Sequence, residues 1–499
     1  MIDILLCVMP KVEPDAPTAG VGVLKAHLTQ EGFTSEVLDL NIDLFKYLKE
    51  INEHEEYYFG NEVLFSNQPS DPLNEEFEMF YQNHKDIFMK WIDIFKQKNP
   101  KWIGMSLLSA FSVASSMKLC ELIRQHLPEI KIVWGGTNVQ HEGFNWPVND
   151  GLIDYYIKGD AERALPELLR GNIEYKGINK IHDFDEVIPY DLSLPPDYDD
   201  INWDDYEHIY YNKPAYVTGS RGCVRKCTFC NDWQIWPTFR FKTPKKLAED
   251  LDRLKGKYGR NTFLFTDSLL NGSISNFRDT MHEMVKIKEK YHPQIFRWSS
   301  HMIVRPKSQM PESDFQLMAE SGCVEAVIGV ESFSVDVRDH MGKKYSNDDI
   351  FYTIEMLDKY KIRNQVLILV GYATETEKDH QNNLDAIDFI FEQGWGHTKD
   401  PRGKGEPLLR WTFGNSLLLN EKHKLYDMVK DHPSWEWQSA MDWKYKDNDM
   451  ATRLRRWKES IAQVQKHNPN YKPSPTTTRT IEITEERLRN PNGPRFWSE

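Results

Sequence analysis

Residues 215–230 read AYVTGSRGCVRKCTFC, an apolar run that passes directly into a loop holding three cysteines. The run Ala215–Ser220 has the length and composition of a buried strand. The loop that follows spaces the thiols of Cys223, Cys227 and Cys230 as C-x3-C-x2-C. Three thiols this close together predict a chemical site, and their position after a strand indicates how the fold presents it.

The segments after this loop alternate between strands and helices. Strands are predicted at Ala215–Ser220, Thr262–Thr266, Ile295–Ser299, Glu325–Val330, Gln365–Val370 and Leu408–Phe413. Helices are predicted at Pro244–Tyr258, Ile274–Tyr291, Glu312–Ser321, Asn347–Tyr360 and Lys378–Glu392. This order predicts a partial (β/α)6 barrel of the TIM type over residues 215–417, in which sites lie at the C-terminal ends of the strands. The cysteine loop occupies such an end.

Thiolates from a short loop are typical ligands of iron–sulfur clusters. Three thiolates on a four-iron cube would leave the fourth iron open to a small molecule. Zinc is the alternative, but structural zinc takes four ligands, and the nearest histidine after the loop is His282. A group of unligated core cysteines is a further alternative. The other cysteines stand singly and are expected to be small buried hydrophobes: Cys7, Cys120 and Cys323.

The composition narrows the classes of function. The 499 residues carry a formal net charge of −14, which disfavours a general nucleic-acid binder. No apolar run is long enough for a membrane span. The opening MIDILLCVMP lacks a basic region and a cleavage site, and it is predicted to be a buried strand rather than a signal peptide. Six cysteines without an export signal indicate a reducing, cytoplasmic location.

Residues 1–171 also alternate between strands and helices. The predicted strands are Ile2–Met9, Ser35–Leu40, Trp102–Leu108, Lys131–Trp134 and Asp154–Ile157, and the helices between them are Gly20–Gly32, Val113–His126 and Ala161–Leu169. Residues 46–98 are acidic and aromatic, and inserted helices are predicted there. The pattern predicts an α/β fold with a doubly wound, Rossmann-like parallel sheet, which binds ligands beyond the carboxyl ends of its strands.

Two regions are less regular. Residues 172–214 contain many Asp, Pro and Tyr residues and are predicted to be a linker. Residues 418–499 are predicted to be a helical C-terminal region, with Trp-rich stretches such as Trp435–Trp443 and Thr452–His467. The tail from Pro469 contains several prolines and threonines, and an extended conformation is predicted for it.

The cysteine loop resembles the signature of the radical S-adenosylmethionine (SAM) superfamily, because Arg221-Gly222 precede its first thiol and Phe229 precedes its last. The resemblance continues through Phe263–Asn271, Gly329–Ser332 and Gly371–Thr376. It implies a 4Fe–4S cluster on the thiolates of Cys223, Cys227 and Cys230. It also implies that SAM contacts Phe229, Asp267, Ser299, Glu331 and Gly371.

The chain departs from the family pattern at two of these strand ends. The segment around Asp267 stands where many members of the family have the sequence Gly-Gly-Glu. The turn after Gly371 lacks the proline and the second glycine of the family pattern. Asp267 could instead cap a helix, and Glu331 could belong to a structural ion pair. His301 ends the third strand and would face the same site, whereas Arg305 could bind either a carboxylate or a helix end.

Residues 1–171 resemble the cobalamin-binding domain that precedes many radical SAM domains. The matching stretches are Ile4–Pro10, Leu38–Asn41, Gly104–Leu108, Val133–Gly136 and Asp154–Glu162. The resemblance implies bound cobalamin near Ser106, Gly135, Gly136, Gly159 and Glu162. The Asp-x-His-x-x-Gly motif that supplies a cobalt ligand in other cobalamin proteins is absent from the chain.

The resemblance implies an enzyme that cleaves SAM to a 5′-deoxyadenosyl radical. With cobalamin, the implied reaction is methyl transfer to an unactivated carbon of a small-molecule or peptide substrate, with flavodoxin or ferredoxin as electron donor. A radical SAM oxidoreductase, rearrangement enzyme or lyase that does not methylate is the first alternative. A non-catalytic iron–sulfur or zinc binding module is an alternative of another class. The sequence identifies no side chain that acts on the substrate.

Overall fold

The computed structural model describes residues 2–54, 57–58, 75–108, 112–137, 150–172, 193–208, 211–230, 232–402, 405–415 and 443–490. The chain divides into two compact units. The first is built on Met1–Tyr216 with Gly256–Arg260, and the second on Val217–Lys255 with the residues from Asn261 to Gly493. Among the helices within these described ranges, none has the length and apolar character needed to cross a membrane.

The first unit contains a five-stranded parallel sheet with strand order β2-β1-β3-β4-β5. Its strands are β1 (Ile4–Val8), β2 (Ser35–Asp39), β3 (Trp102–Ser106), β4 (Lys131–Gly135) and β5 (Tyr155–Tyr156). Its helices are α1 (Ala19–Gln30), α2 (Leu40–Glu50), α3 (Glu75–Asn83), α4 (Lys85–Lys98), α5 (Ser112–His126) and α6 (Ala161–Leu169). The strand order reverses between β1 and β3, so the predicted doubly wound fold is confirmed.

Alternate side chains of β1 enter two separate hydrophobic cores. Leu5 and Cys7 pack with α2, α4 and α5, whereas Ile4 and Leu6 pack with α1 and α6. Because successive side chains of a strand point to opposite faces, a strand covered by helices on both faces is apolar throughout. The opening segment is therefore a central strand, as predicted.

The helices predicted at residues 46–98 are found in part as α3 and α4, while residues 59–74 lie outside the described ranges. The helix before them starts already at Leu40, because the Asp39 carboxylate accepts a hydrogen bond from the Ile42 amide at 2.9 Å and caps it. The predicted linker has little regular structure where it is described. It nevertheless packs on the first unit, since the Tyr206 hydroxyl donates to Asp39 Oδ2 at 2.6 Å.

The second unit contains a six-stranded sheet in chain order, β6-β9-β10-β11-β12-β13, whose neighbours run parallel from β9 onward. The strands of this unit are β6 (Pro214–Val217), β7 (Ser220–Arg221), β8 (Arg240–Phe241), β9 (Thr262–Phe265), β10 (Arg297–Met302), β11 (Cys323–Glu331), β12 (Arg363–Val370) and β13 (Leu409–Asn415). Its helices begin with α7 (Asp232–Ile235), α8 (Pro244–Tyr258), α9 (Ile274–Lys290), α10 (Glu312–Glu320), α11 (Val335–Met341), α12 (Asn347–Lys359) and α13 (Glu377–Glu392). Because β6 and β13 are the two edges of the sheet, the predicted partial (β/α)6 barrel is confirmed.

The two faces of this sheet have different surroundings. Trp298 of β10 faces the helices, because its ring packs edge-on against Phe277 of α9 and its Nε1 donates to Ser321 Oγ at 3.1 Å. The alternate residues Ser299 and His301 therefore face the barrel interior.

The last barrel helix follows β13 only after a long connection. Helix α14 (Met450–His467) lies alongside α13, with its residues paired in the same chain direction: Arg455 with Glu377, Glu459 with His380, and His467 with Asp388. It also contacts β12 and β13. The helix therefore occupies the position of a sixth barrel helix, although we had predicted a boundary at residue 418.

The prediction of an extended tail from Pro469 is wrong, because the tail forms helix α15 (Pro475–Arg489). Pro475 stands in the first turn, where a helix does not need the amide proton that proline lacks. The Ser474 hydroxyl caps this turn by accepting a hydrogen bond from the Thr477 amide at 3.1 Å. The helix predicted at Trp435–Trp443 lies outside the described residues, apart from Trp443 itself.

Candidate functional site

The cysteine loop begins at a glycine that cannot be replaced without strain. Gly222 has a φ of +81°, and a Cβ atom there would lie 2.7 Å from the carbonyl oxygen of Thr238. Glycine alone adopts this conformation freely. The ribbon of β7 and β8 holds the base of the loop, because Arg221 pairs with Arg240. The sequence therefore fixes a sharp turn directly before the first thiol.

The three thiols of the loop are free, with Cys227 buried and both Cys223 and Cys230 partly exposed. Among the described residues, no three or more His, Cys, Asp or Glu side chains surround a single metal position. A zinc ion would draw its sulfur ligands to within about 4 Å of one another. A cubane cluster instead binds each thiolate to a different iron, which keeps the sulfurs apart. The loop supplies three thiols, one fewer than the four ligands that a structural zinc site takes.

Burial raises the pKa of all three thiols, and for Cys230, beside Asp232, it rises to about 12. Lys343 offsets part of this increase at Cys227. The amide of Arg225 also donates to Cys223 Sγ at 3.4 Å. Buried thiols of this kind lose their protons when a metal centre supplies positive charge. The donor set therefore fits a bound cluster.

The second half of the loop is fixed by contacts with the end of α11 and with the turn after β12. The Thr228 amide donates to the carbonyl oxygen of Met341 at 3.2 Å, and the Thr228 hydroxyl lies 2.6 Å from that of Tyr372. Phe229 packs on a cluster made of Val337, Met341, Tyr372, Ala373 and Trp443. The Lys343 ammonium lies 5.7 Å from the centre of the Phe229 ring. Phe229 is thus held among residues that are far away in sequence.

Asp267 follows β9 and is fully buried against the start of the cysteine loop. Its Oδ2 accepts from the Gly219 amide at 2.9 Å, and its Oδ1 from the Ser220 hydroxyl at 2.5 Å. Burial raises the pKa of Asp267 to about 7, although both hydrogen bonds act in the opposite direction. The carboxyl group therefore joins the end of β9 to the residues before the loop rather than capping a helix.

Glu331 ends β11 in a strained conformation. Its φ is +66°, which is rare for a residue with a side chain, and the strand pairing is irregular between Gly329 and Glu331. Glu331 Oε1 accepts from the Lys343 ammonium at 2.8 Å, and both side chains are buried. The ammonium also donates to the Gly329 carbonyl oxygen at 2.7 Å. Glu331 thus takes part in the structural ion pair that was the alternative to SAM binding.

The three remaining predicted residues of this unit lie at different depths. Ser299 and His301 face the barrel interior on β10, where solvent reaches His301 but the surrounding protein lowers its pKa. Arg305 donates to the carbonyl oxygens of Asn271 and Gly272 at 2.9 and 2.6 Å. These contacts agree with the predicted alternative in which Arg305 binds the end of a helix. The sequence had left that choice open.

Gly371 begins the turn after β12, with a φ of +75°. Its amide donates to Glu375 Oε2 at 2.7 Å, and a Cβ atom at Gly371 would lie 2.4 Å from the Arg453 side chain. Glu331 therefore lies near Phe229 of the cysteine loop through Lys343, and Gly371 lies near the loop through its neighbour Tyr372. Asp267 adjoins the loop at its start, and Ser299 lies on the interior wall.

Sequence reasoning missed the residues that hold these strand ends together: Tyr372, His340, Asn448, Arg453 and Arg456. The Tyr372 hydroxyl also lies 2.9 Å from His340 Nδ1. The missing proline and glycine of the Gly371 turn were a signal that something else must fix this turn. The partners could not be read from the chain because they lie about 30 to 80 residues away.

In the first unit, the residues predicted to contact cobalamin lie at the carboxyl ends of the strands. Ser106 ends β3 and is the register partner of Gly135 at the end of β4. Gly136 has a φ of +105°, and a Cβ atom there would lie 2.5 Å from the Leu107 carbonyl oxygen. Gly159 and the buried Glu162 flank the start of α6, beyond β5. A Cβ atom on Gly135 would meet no atom of the described residues within 4 Å, which leaves space beside the backbone among them.

A partial barrel of parallel strands that presents three free thiols after its first strand defines a class of cluster-binding fold. Residues 217–387 match the family model of the Radical SAM superfamily. The match covers about a third of the chain and lies almost wholly in the second unit. The members of the superfamily use a 4Fe–4S cluster and SAM.

Two solved structures share the fold of both units. The chain aligns with the methyltransferase TsrM from Kitasatospora setae, solved with tryptophan and a SAM analogue, at a TM-score of 0.57 and 16% identity, covering 83% of this chain and 72% of that one. It aligns with the cobalamin-dependent radical enzyme OxsB at a TM-score of 0.64 and 13% identity, covering 98% and 72%. The predicted order of a doubly wound parallel sheet followed by a partial barrel is shared with these two structures.

Curated relatives match over shorter stretches. An anaerobic magnesium-protoporphyrin IX monomethyl ester cyclase of Cereibacter sphaeroides is 22% identical over 244 residues, covering 45% of this chain and 39% of the relative. The hopanoid C-3 methylase of Methylococcus capsulatus is 27% identical over 199 residues, covering 35% of each. The chain spans about a third to a half of the first curated relatives it matches.

Proposed function

We propose that the chain is a cobalamin-dependent radical SAM methyltransferase. One observation carries the proposal: three free thiols in a single glycine-hinged loop follow the first strand of a six-stranded parallel barrel. In this proposal Cys223, Cys227 and Cys230 ligate three irons of a 4Fe–4S cluster, and the fourth iron is left for the amino and carboxylate groups of SAM. A cluster held by these thiolates would supply the electron for cleavage of SAM to methionine and a 5′-deoxyadenosyl radical, after it has been reduced by an external electron donor.

The residues at the strand ends hold SAM in this proposal. The Phe229 ring, fixed by its apolar cluster, lies against the adenine. Gly371 brings backbone close to the nucleoside, and Ser299 lines the wall below it. A carboxylate has about four acceptor sites. Asp267 and Glu331 can therefore bind SAM while they keep the hydrogen bonds described above.

The first unit holds cobalamin in this proposal, with Ser106, Gly135, Gly136, Gly159 and Glu162 at the strand ends that face it. Cobalamin held there would carry a methyl group from a second SAM to the substrate radical. Support comes from the structure of TsrM with cobalamin and a [4Fe-4S] cluster bound, and from that of OxsB with aqua-cobalamin bound. Small residues at strand ends leave room for a bulky nucleotide tail.

The substrate in this proposal is a small molecule or a peptide that reaches the interior wall beside His301. The electron donor is a small redox protein such as flavodoxin or ferredoxin. The six free cysteines suit a reducing cytoplasm, although only three lie in the loop.

A radical SAM enzyme that does not methylate is the second candidate function. The observation that favours it is the set of curated relatives named as anaerobic magnesium-protoporphyrin IX monomethyl ester cyclases. Both candidates require SAM cleavage, and they differ in whether the product gains a methyl group.

Anaerobic reconstitution tests the shared part of both candidates. The wild-type chain should bind about four irons, as a cubane requires, and should form 5′-deoxyadenosine from SAM on reduction. Cys227→Ala should bind far less iron. Cys323→Ala, which removes a buried thiol at the start of β11, should retain it. Equal iron in the two variants would refute the ligand assignment.

Cobalamin is tested separately. Protein produced with the vitamin supplied should retain the visible absorbance of cobalamin after gel filtration. When the enzyme turns over SAM that is labelled in its methyl group, the product should carry the label. A chain that cleaves SAM but retains no cobalamin would support the second candidate.

A further inference from the structure

The turn after β12 is held by one side chain from a distant part of the chain. The Asn448 amide nitrogen lies 3.2 Å from the Gly371 carbonyl oxygen, 2.7 Å from that of Tyr372 and 3.5 Å from that of Ala373. Asn448 is only 3% exposed. A single buried donor group thus faces three successive carbonyl oxygens of the turn.

A second contact holds the other end of the same turn. Arg456 of α14 donates to the carbonyl oxygen of Glu375 at 2.9 Å, and its guanidinium lies 3.4 Å from Glu375 Oε2. The Glu375 carboxylate in turn accepts from the Gly371 amide at 2.7 Å and from Asn383 at 3.1 Å. The turn is therefore held by an internal hydrogen bond from Gly371 to Glu375 and by external contacts from Arg456 and Asn383.

The position of Asn448 follows from the order of the barrel elements. Asn448 lies in the connection between β13 and α14, and such βα connections lie at the C-terminal face of a barrel, where sites are built. Tyr372, whose carbonyl oxygen Asn448 binds, reaches Thr228 of the cysteine loop through its hydroxyl. A series of contacts through Asn448, Tyr372 and Thr228 thus joins the segment between β13 and α14 to the loop that carries the thiols.

We propose that Asn448 is a positioning residue for the SAM site. It replaces the stiffness that a proline would give to the turn at Gly371, by fixing the three carbonyl oxygens of Gly371, Tyr372 and Ala373. The inference rests on the proposed function, because the turn has a ligand to position only if SAM binds there. The inference assigns residues 443–449 to the SAM site. These residues follow a part of the chain in which no motif was recognised.

Equilibrium binding of SAM to the cluster-loaded, unreduced chain tests this inference, because SAM is not cleaved under these conditions. Asn448→Ala should bind SAM about tenfold more weakly than the wild type, as expected for the loss of hydrogen bonds that together contribute about 1.4 kcal/mol. Its iron content should equal that of the wild type. In turnover, KM for SAM should rise while kcat for 5′-deoxyadenosine changes by less than about twofold, since a positioning contact acts on binding.

Arg455→Ala is the matched control. Arg455 lies on α14 beside Arg456, but it is exposed and pairs with Glu377 and Glu459 at the surface. Its SAM affinity should equal that of the wild type. If Asn448→Ala does not fold, Asn448→Ser, which keeps one donor, takes its place and should show a smaller loss of affinity.

Wild-type affinity for SAM in a folded Asn448→Ala chain would overturn the inference and leave the proposed function intact. Loss of iron from that variant would also overturn it, because Asn448 would then support the cysteine loop rather than the SAM turn. Failure of the wild-type chain to bind iron or SAM would instead overturn the proposed function.

Discussion

The buried carboxyl group of Asp267 makes a pH-dependent contribution to stability that a single substitution can expose. The protonated form is favoured in the folded chain because burial raises the pKa of Asp267 from an ordinary 3.8 to about 7. Asparagine has the shape of a protonated aspartic acid. Its oxygen can accept from the Gly219 amide, and its nitrogen can donate to Ser220 Oγ, which lies 3.2 Å from the Leu269 carbonyl oxygen and can donate there.

The magnitude follows from the two pKa values. Each pKa unit corresponds to about 1.4 kcal/mol, so the interval from 3.8 to about 7 corresponds to about 4 kcal/mol as an upper limit. Because the folded pKa is the higher one, this stability is fully present below pH 4 and is lost as the pH rises through 7. Asp267→Asn should therefore match the wild type below pH 4 and become progressively more stable than it as the pH rises to 8.

Thermal unfolding of the cluster-free chain without SAM, measured at several pH values, gives the comparison. The difference between variant and wild type cancels the titration of all other groups. Asp279→Asn on the exposed side of α9 is the control for the removal of a carboxylate from the surface. A less stable Asp267→Asn chain at pH 8 would show that the carboxylate is favourably solvated or paired, and the reasoning from burial would be refuted.

Three further substitutions test the site. Gly222→Ala should lose most of the iron, since it adds a left-handed penalty of about 1–2 kcal/mol to a 2.7 Å clash. Gly394→Ala, also at positive φ but in open space, should keep it. Tyr372→Phe should keep the iron but lower the unfolding temperature, because two hydrogen bonds worth about 1 kcal/mol each are lost, one of them to Thr228. His301→Ala should slow product formation about tenfold, as for one lost substrate hydrogen bond, while SAM cleavage without substrate stays constant.

The regular elements of both units could be predicted because local patterns dominate there. Helix Ala161–Leu169 begins and ends as predicted, and β1 was recognisable from a continuous apolar run. A strand that is buried on both faces has this pattern wherever it occurs. The tail helix from Pro475 was missed because prolines and threonines suggested extended chain, although proline is well tolerated in a first helical turn.

Domain limits were harder to predict than elements. The long connection after β13 separates α14 from the other barrel helices in sequence, and the packing of α14 beside α13 decides its place. No local pattern contains that information, because the pairs between the two helices join residues almost 80 positions apart.

The sequence by itself determined the thiol loop, since three cysteines and a hinge glycine within nine residues need no distant partner to be recognised. Only the tertiary structure decided which groups surround that loop. Asp267 binds residues that precede the cysteine loop, and Glu331 pairs with Lys343. The turn at Gly371 is held by Asn448. The physical reason is that ligand spacing is a local property of the chain, whereas burial, ion pairing and the fixing of a turn depend on side chains that only folding brings together.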